Sequence, residues 1–82
     1  MIYPNPSSDI FNLLLTLHNN KSDEKITIKV LDIMGRELIN KNMSITGTIL
    51  STSIDLTDIS EGIYMIQVIS EEKYYNQKII KN

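Results

Sequence analysis

The segment Gly62-Ile63-Tyr64-Met65-Ile66-Gln67-Val68 constrains this chain more than any other. Glycine closes a turn-rich approach, Leu56-Thr57-Asp58-Ile59-Ser60-Glu61. A period-two alternation follows, with Tyr64, Ile66 and Val68 on one side and Ile63, Met65 and Gln67 on the other. That period belongs to a strand with one face against a core. A tyrosine near the start of such a strand, two residues before a core position, can bond its hydroxyl back to upstream backbone in two-sheet sandwiches. The core position here is Ile66, so the corner has no disulfide beside it. The segment predicts a β-sandwich.

The rest of the chain repeats the pattern at short spacing. Phe11, Leu13, Leu15 and Leu17 alternate with Asn12, Leu14 and Thr16, and Ile26, Ile28 and Val30 with Thr27, Lys29 and Leu31. The second run enters Asp32-Ile33-Met34-Gly35, where Asp at the first position and Gly at the fourth indicate a type I turn. With Gly35 left-handed this predicts a hairpin with a G1 bulge, returning over Arg36 to Asn42. Around Ser44 to Thr48 the pattern fades, and Gly47 marks a bend. Leu50, Thr52, Ile54 and Leu56 alternate next, Ser70 to Lys73 is a tight connection, and Tyr74 to Lys81 forms the last strand. His18 to Glu24 reads as a polar loop. The sum is an all-β, immunoglobulin-like antiparallel β-sandwich of six or seven strands.

Composition supports this class and limits the function. Fifteen Ile and eight Leu, against no Ala and no Trp, favour pleated surfaces over helices. With 82 residues there is room for one domain, a leading segment over residues 1–8 and a sandwich over 9–82. A net charge of −2 lacks the basic footprint of nucleic-acid binding. No cysteine is present, which excludes disulfides and thiolate metal sites. Apolar runs such as Leu13-Leu14-Leu15 fall far below the ~20 residues of a membrane-spanning helix, so no membrane insertion is expected. Met1-Ile2-Tyr3 opens without the features of a signal peptide.

Little chemistry is encoded. His18 is the sole histidine and reads as a solvated surface imidazole, and the ten acids are spread along loops and strand edges. Catalysis would need paired groups converging in a cleft, so the chain is expected to be no enzyme and to need no cofactor. Asn19 to Glu24 offers oxygen ligands but not the regular spacing of a calcium loop, and no metal is expected. Asn20-Lys21-Ser22 and Asn42-Met43-Ser44 match a glycosylation triplet short enough to recur by chance. Tyr74 and Tyr75 are adjacent in a strand and face opposite sides, so they make no joint stacking platform.

Four pieces taken in order carry a family resemblance: Tyr3-Pro4-Asn5-Pro6; Ile28-Lys29-Val30-Leu31-Asp32-Ile33-Met34-Gly35-Arg36-Glu37-Leu38; Leu56 to Tyr64; and Lys78-Ile79-Ile80-Lys81-Asn82. Together they resemble the type A C-terminal sorting domain of cargo for the type IX, or Por, secretion system. The resemblance covers the chain from Tyr3 to Asn82. It assigns a sorting motif to Pro4, Asn5, Pro6, Asp32, Gly35, Arg36, Gly62, Tyr64, Lys78 and Lys81. Glu71-Glu72 departs from the Gly or Asn that members often carry in the final turn.

The resemblance implies a domain at the extreme C-terminus of a larger secreted protein. That protein would pass through the periplasm to shuttle components and the outer-membrane translocon of the system. A sortase-like cell-surface protease would then remove the domain as the cargo is attached or released. An exposed last strand would offer its edge to a partner, or to a second copy in a weak homodimer, with Lys78 and Lys81 adding charge complementarity. The rival readings are a carbohydrate- or surface-binding module of a secreted enzyme, and a structural spacer.

Overall fold

The computed structural model describes residues 2–3, 9–16, 24–45, 49–71 and 74–82. Pro4 to Ser8, His18, the Asn19 to Asp23 part of the polar loop, Gly47, Glu72 and Lys73 lie outside the described residues. Seven strands are described: β1 (Ile2–Tyr3), β2 (Ile10–Thr16), β3 (Glu24–Leu31), β4 (Glu37–Ile45), β5 (Ile49–Asp55), β6 (Gly62–Ile69) and β7 (Tyr74–Lys81). They form a three-stranded sheet ordered β1-β2-β5 and a four-stranded sheet ordered β4-β3-β6-β7, with every pair antiparallel. In immunoglobulin lettering the sheets read A-B-E and C′-C-F-G, with the C′ strand added to the GFC sheet.

The alternation seen in the sequence sets the core. Phe11 and Leu13 of β2 and Leu50 and Ile54 of β5 are buried on one sheet. Ile26, Ile28 and Val30 of β3, Tyr64, Ile66 and Val68 of β6, and Ile79 of β7 are buried on the other. Leu56, just past β5, is fully buried too. These residues form one cluster, against which Leu15, Ile39, Met43 and Tyr75 pack. Tyr74 faces out and Tyr75 is half-buried, as their adjacency requires.

Three features depart from the sequence reading. Glu24 belongs to β3 rather than to the preceding loop and is buried, paired in register with Ile45. Strand β4 runs on to Ile45, past Asn42, where pairing with β3 continues and where Met43 and Ile45 pack against the core. Its register also slips: Val30 pairs with Ile39 but Leu31 pairs with Glu37, leaving Leu38 as an extra residue in a bulge. The leading segment supplies a short strand, β1, paired to β2 through Ile2↔Leu13 and Tyr3↔Asn12.

Candidate functional site at one end of the sandwich

The β3–β4 hairpin is built by one carboxylate. The Asp32 N–H donates to the Arg36 carbonyl and the Gly35 N–H to the Asp32 carbonyl, each at 3.0 Å. Asp32 Oδ1 accepts from the backbone N–H groups of Met34 and Arg36, and Oδ2 accepts from Arg36 Nε, all at 2.9 Å. Gly35 has φ +83°, the left-handed value that the three-residue loop with a G1 bulge demands. The Arg36 backbone bond, followed by those of its side chain and of Met34, holds the Asp32 carboxyl below the ordinary carboxylate value of 3.8. Asp32, Gly35 and Arg36 are therefore parts of one turn.

Tyr64 makes the corner that its position predicts. Its hydroxyl donates to the Ser60 carbonyl at 2.5 Å. The neighbouring carbonyl, that of Ile59, accepts from Lys81 Nζ. Two consecutive carbonyls of the β5–β6 loop are thus held by side chains from β6 and β7. Gly62 opens β6 with φ +155°, opposite Lys81 in the β6–β7 register, and lies beside the Tyr64 ring. The loop is fixed from its other side as well: Leu56 N–H donates to the Asp9 carbonyl at 2.8 Å, and Ile59 N–H to the Leu56 carbonyl at 3.0 Å. Asp55 accepts from the Thr57 hydroxyl and from the Thr57 N–H. Those two bonds, with the Lys81 charge a smaller contributor, lower its pKa.

Lys78 and Lys81 are three residues apart in a strand and so lie on opposite faces. Lys78 is exposed on the outer face of the sheet, whereas Lys81 is 8% exposed on the inner face. Lys78 thus stands on the outer face of the sheet, whereas the Lys81 ammonium donates to the Ile59 carbonyl.

The structure brings these segments together. Asp32 and Arg36 share a groove of about 340 Å³ with Leu38, Asp58, Ser60 and Tyr64, which places the hairpin against the tyrosine corner. A second groove, of about 430 Å³, joins Leu31, Ile33 and Gly35 to Ile63, Met65 and Lys78 across the outer face. Asp32, Gly35, Arg36, Gly62, Tyr64, Lys78 and Lys81 therefore gather around one end of the sandwich. The sequence reading missed Ile59 and Ser60, whose carbonyls anchor that end; every residue has a carbonyl, so their side chains carry no signal. Among the described residues no three His, Cys, Asp or Glu converge to hold a metal ion.

The family model of the secretion system C-terminal sorting domain matches residues 1–82. The chain belongs to the type IX secretion sorting domains. No curated protein matches it. The sandwich is accordingly a signal for export to the cell surface or extracellular space, of a family that is not enzymatic, and it works with the type IX machinery.

Proposed function

We propose that this sandwich directs a larger cargo through the periplasm and across the outer membrane, and that it is read as a folded surface at the end where its motif residues gather. The observation that carries the proposal is the family match over residues 1–82. Shuttle components and the outer-membrane translocon are the partners in this reading. A sortase-like protease at the cell surface then severs the domain as the cargo is attached or released.

The position of β7 supports a route of recognition. It is an edge strand of the four-stranded sheet, and an edge can be extended by a strand from a partner. Lys78 on its outer face would favour an acidic neighbour, and Lys81 would act by keeping the end of β7 in place. Such charge complementarity governs encounter rate and specificity more than affinity.

The test joins the chain behind a reporter carrying an inner-membrane signal peptide, in a bacterium with a type IX system. The full fusion should reach the surface or the medium, and a fusion lacking Tyr74 to Asn82 should stay in the periplasm. Equal export of the two would overturn the proposal.

A further inference from the structure

Ile33 and Met34, at the tip of the β3–β4 hairpin, are the most exposed large apolar side chains among the described residues, at 78% and 84%. They lie between motif residues, and their side chains make none of the hydrogen bonds that hold the turn. We infer that this pair is an apolar anchor that inserts into a preformed cleft on a protein of the export machinery, with a carboxylate at the rim of the cleft meeting Arg36. The inference rests on the sorting function proposed above.

The tip is built to be buried by a partner. Its backbone N–H groups at Asp32, Met34, Gly35 and Arg36 are all bonded within the turn. Burying a donor that already has its acceptor avoids most of the cost of stripping water from a polar group. Asp32, held low in pKa, stays ionised and keeps the turn in one conformation, so little ordering entropy remains to be lost on docking. Side chains that fill a well-packed, desolvated pocket are the usual centre of an interface's affinity, and the flexible Met34 can adapt to the shape of such a pocket.

Continuity and charge decide the occupant. Ile33 lines the outer-face groove with Leu31, Ile63 and Met65, so the apolar surface runs from the tip onto β6, and Ile80 of β7 sits opposite Ile63. Ile63 and Ile80 are exposed as well, though less than the tip pair, so the apolar surface is centred on Ile33 and Met34. A second copy brings the same net charge of −2 and the same acids, Asp32 and Asp58, to the contact, and is therefore a poor occupant. An anionic membrane is poorer still, because Asp32, Glu37, Asp58 and Glu61 stand near this end and the chain carries a net charge of −2. Arg36 engages Asp32 only through Nε. The N–H groups on its two terminal nitrogens can meet a carboxylate in bidentate fashion.

The experiment uses the reporter fusion with the whole chain. Ile33→Ser with Met34→Ser keeps every backbone group and side chain whose hydrogen bonds hold the turn. It should leave the circular dichroism spectrum and thermal midpoint of the chain unchanged, yet lower export about tenfold or more, with the fusion held in the periplasm. Ile33→Leu with Met34→Leu should restore export, and Arg36→Met should lower it more than Arg36→Lys does. Unchanged export of the double serine variant beside an exported wild type overturns the anchor alone. A wild-type fusion that is not exported overturns the sorting function and the anchor with it. Two other results also overturn the anchor: binding of the chain to phosphatidylethanolamine–phosphatidylglycerol vesicles that the serine variant loses, or a dimer in sedimentation that the serine variant dissociates.

Discussion

Single side chains at the motif end are tied to backbone, and their contributions can be measured one at a time. Tyr64 is buried, and its hydroxyl donates to the Ser60 carbonyl. Tyr64→Phe keeps the ring in the core and removes that bond, so it should cost about 1 kcal/mol in urea unfolding. A loss indistinguishable from zero would mean that water replaces the hydroxyl at no cost. The two carboxylates give a pH prediction. Asp32 and Asp55 both have folded-state values below the ordinary 3.8, the first chiefly through the Arg36 N–H and the second chiefly through Thr57. Groups depressed on folding stabilise fully above their unfolded value, and that stabilisation is lost as pH falls through the folded value. The thermal midpoint should therefore fall on acidification below about pH 4, and Asp32→Asn should flatten that fall because an amide does not titrate. A wild-type midpoint that is constant, or that rises, through this window would contradict the assignment.

Strands were legible in the sequence where one face is buried and illegible where it is not. β6 and β7 begin and end close to where alternation and turn residues place them, and Asp32 with Gly35 specified the hairpin completely. β4 was cut short because most of its residues are exposed and Lys41 interrupts the apolar alternation of Ile39, Met43 and Ile45. Its bulge at Leu38 is likewise set by pairing with β3 and has no glycine to announce it. The gathering of the motif segments at one end was also hidden, because it depends on how the loop carbonyls of Ile59 and Ser60 meet β6 and β7. The same geometry separates the two lysines of β7. Lys81→Glu would set a carboxylate against the Ile59 carbonyl and near Asp55, and should destabilise by about 2 kcal/mol or more, the scale of a lost charge-assisted bond. Lys78→Glu, on the exposed face, should cost less than Lys81→Glu, because an exposed charge is screened by water. Measured together by denaturant unfolding, equal effects of the two would show that the buried bond of Lys81 contributes nothing. If export of the reporter then falls with Lys78→Glu while stability holds, the outer face of β7 is read directly.

At the scale of the whole molecule, a thin core links stability to the signal. Domains of this size are stable by only about 0.05–0.15 kcal/mol per residue, and here one cluster of buried side chains supplies the core of both sheets. Phe11 is fully buried on β2, and Tyr64 and Lys78 lie on the opposite sheet. Phe11→Ala should cost about 3–5 kcal/mol, which lowers the thermal midpoint by about 12–40 °C on the usual scale of roughly 4–8 °C per kcal/mol for a small domain. A surface signal and a linear one then give different outcomes. If the machinery reads a folded end assembled from three segments, Phe11→Ala must lose export at the growth temperature although it changes no surface residue. Export should return as the temperature is lowered into the range where circular dichroism finds the variant folded. A variant that is unfolded at the growth temperature yet exported as well as wild type would mean that the machinery reads the extended chain, and the grouping of Asp32, Gly35, Arg36, Tyr64 and Lys78 would then matter to folding alone.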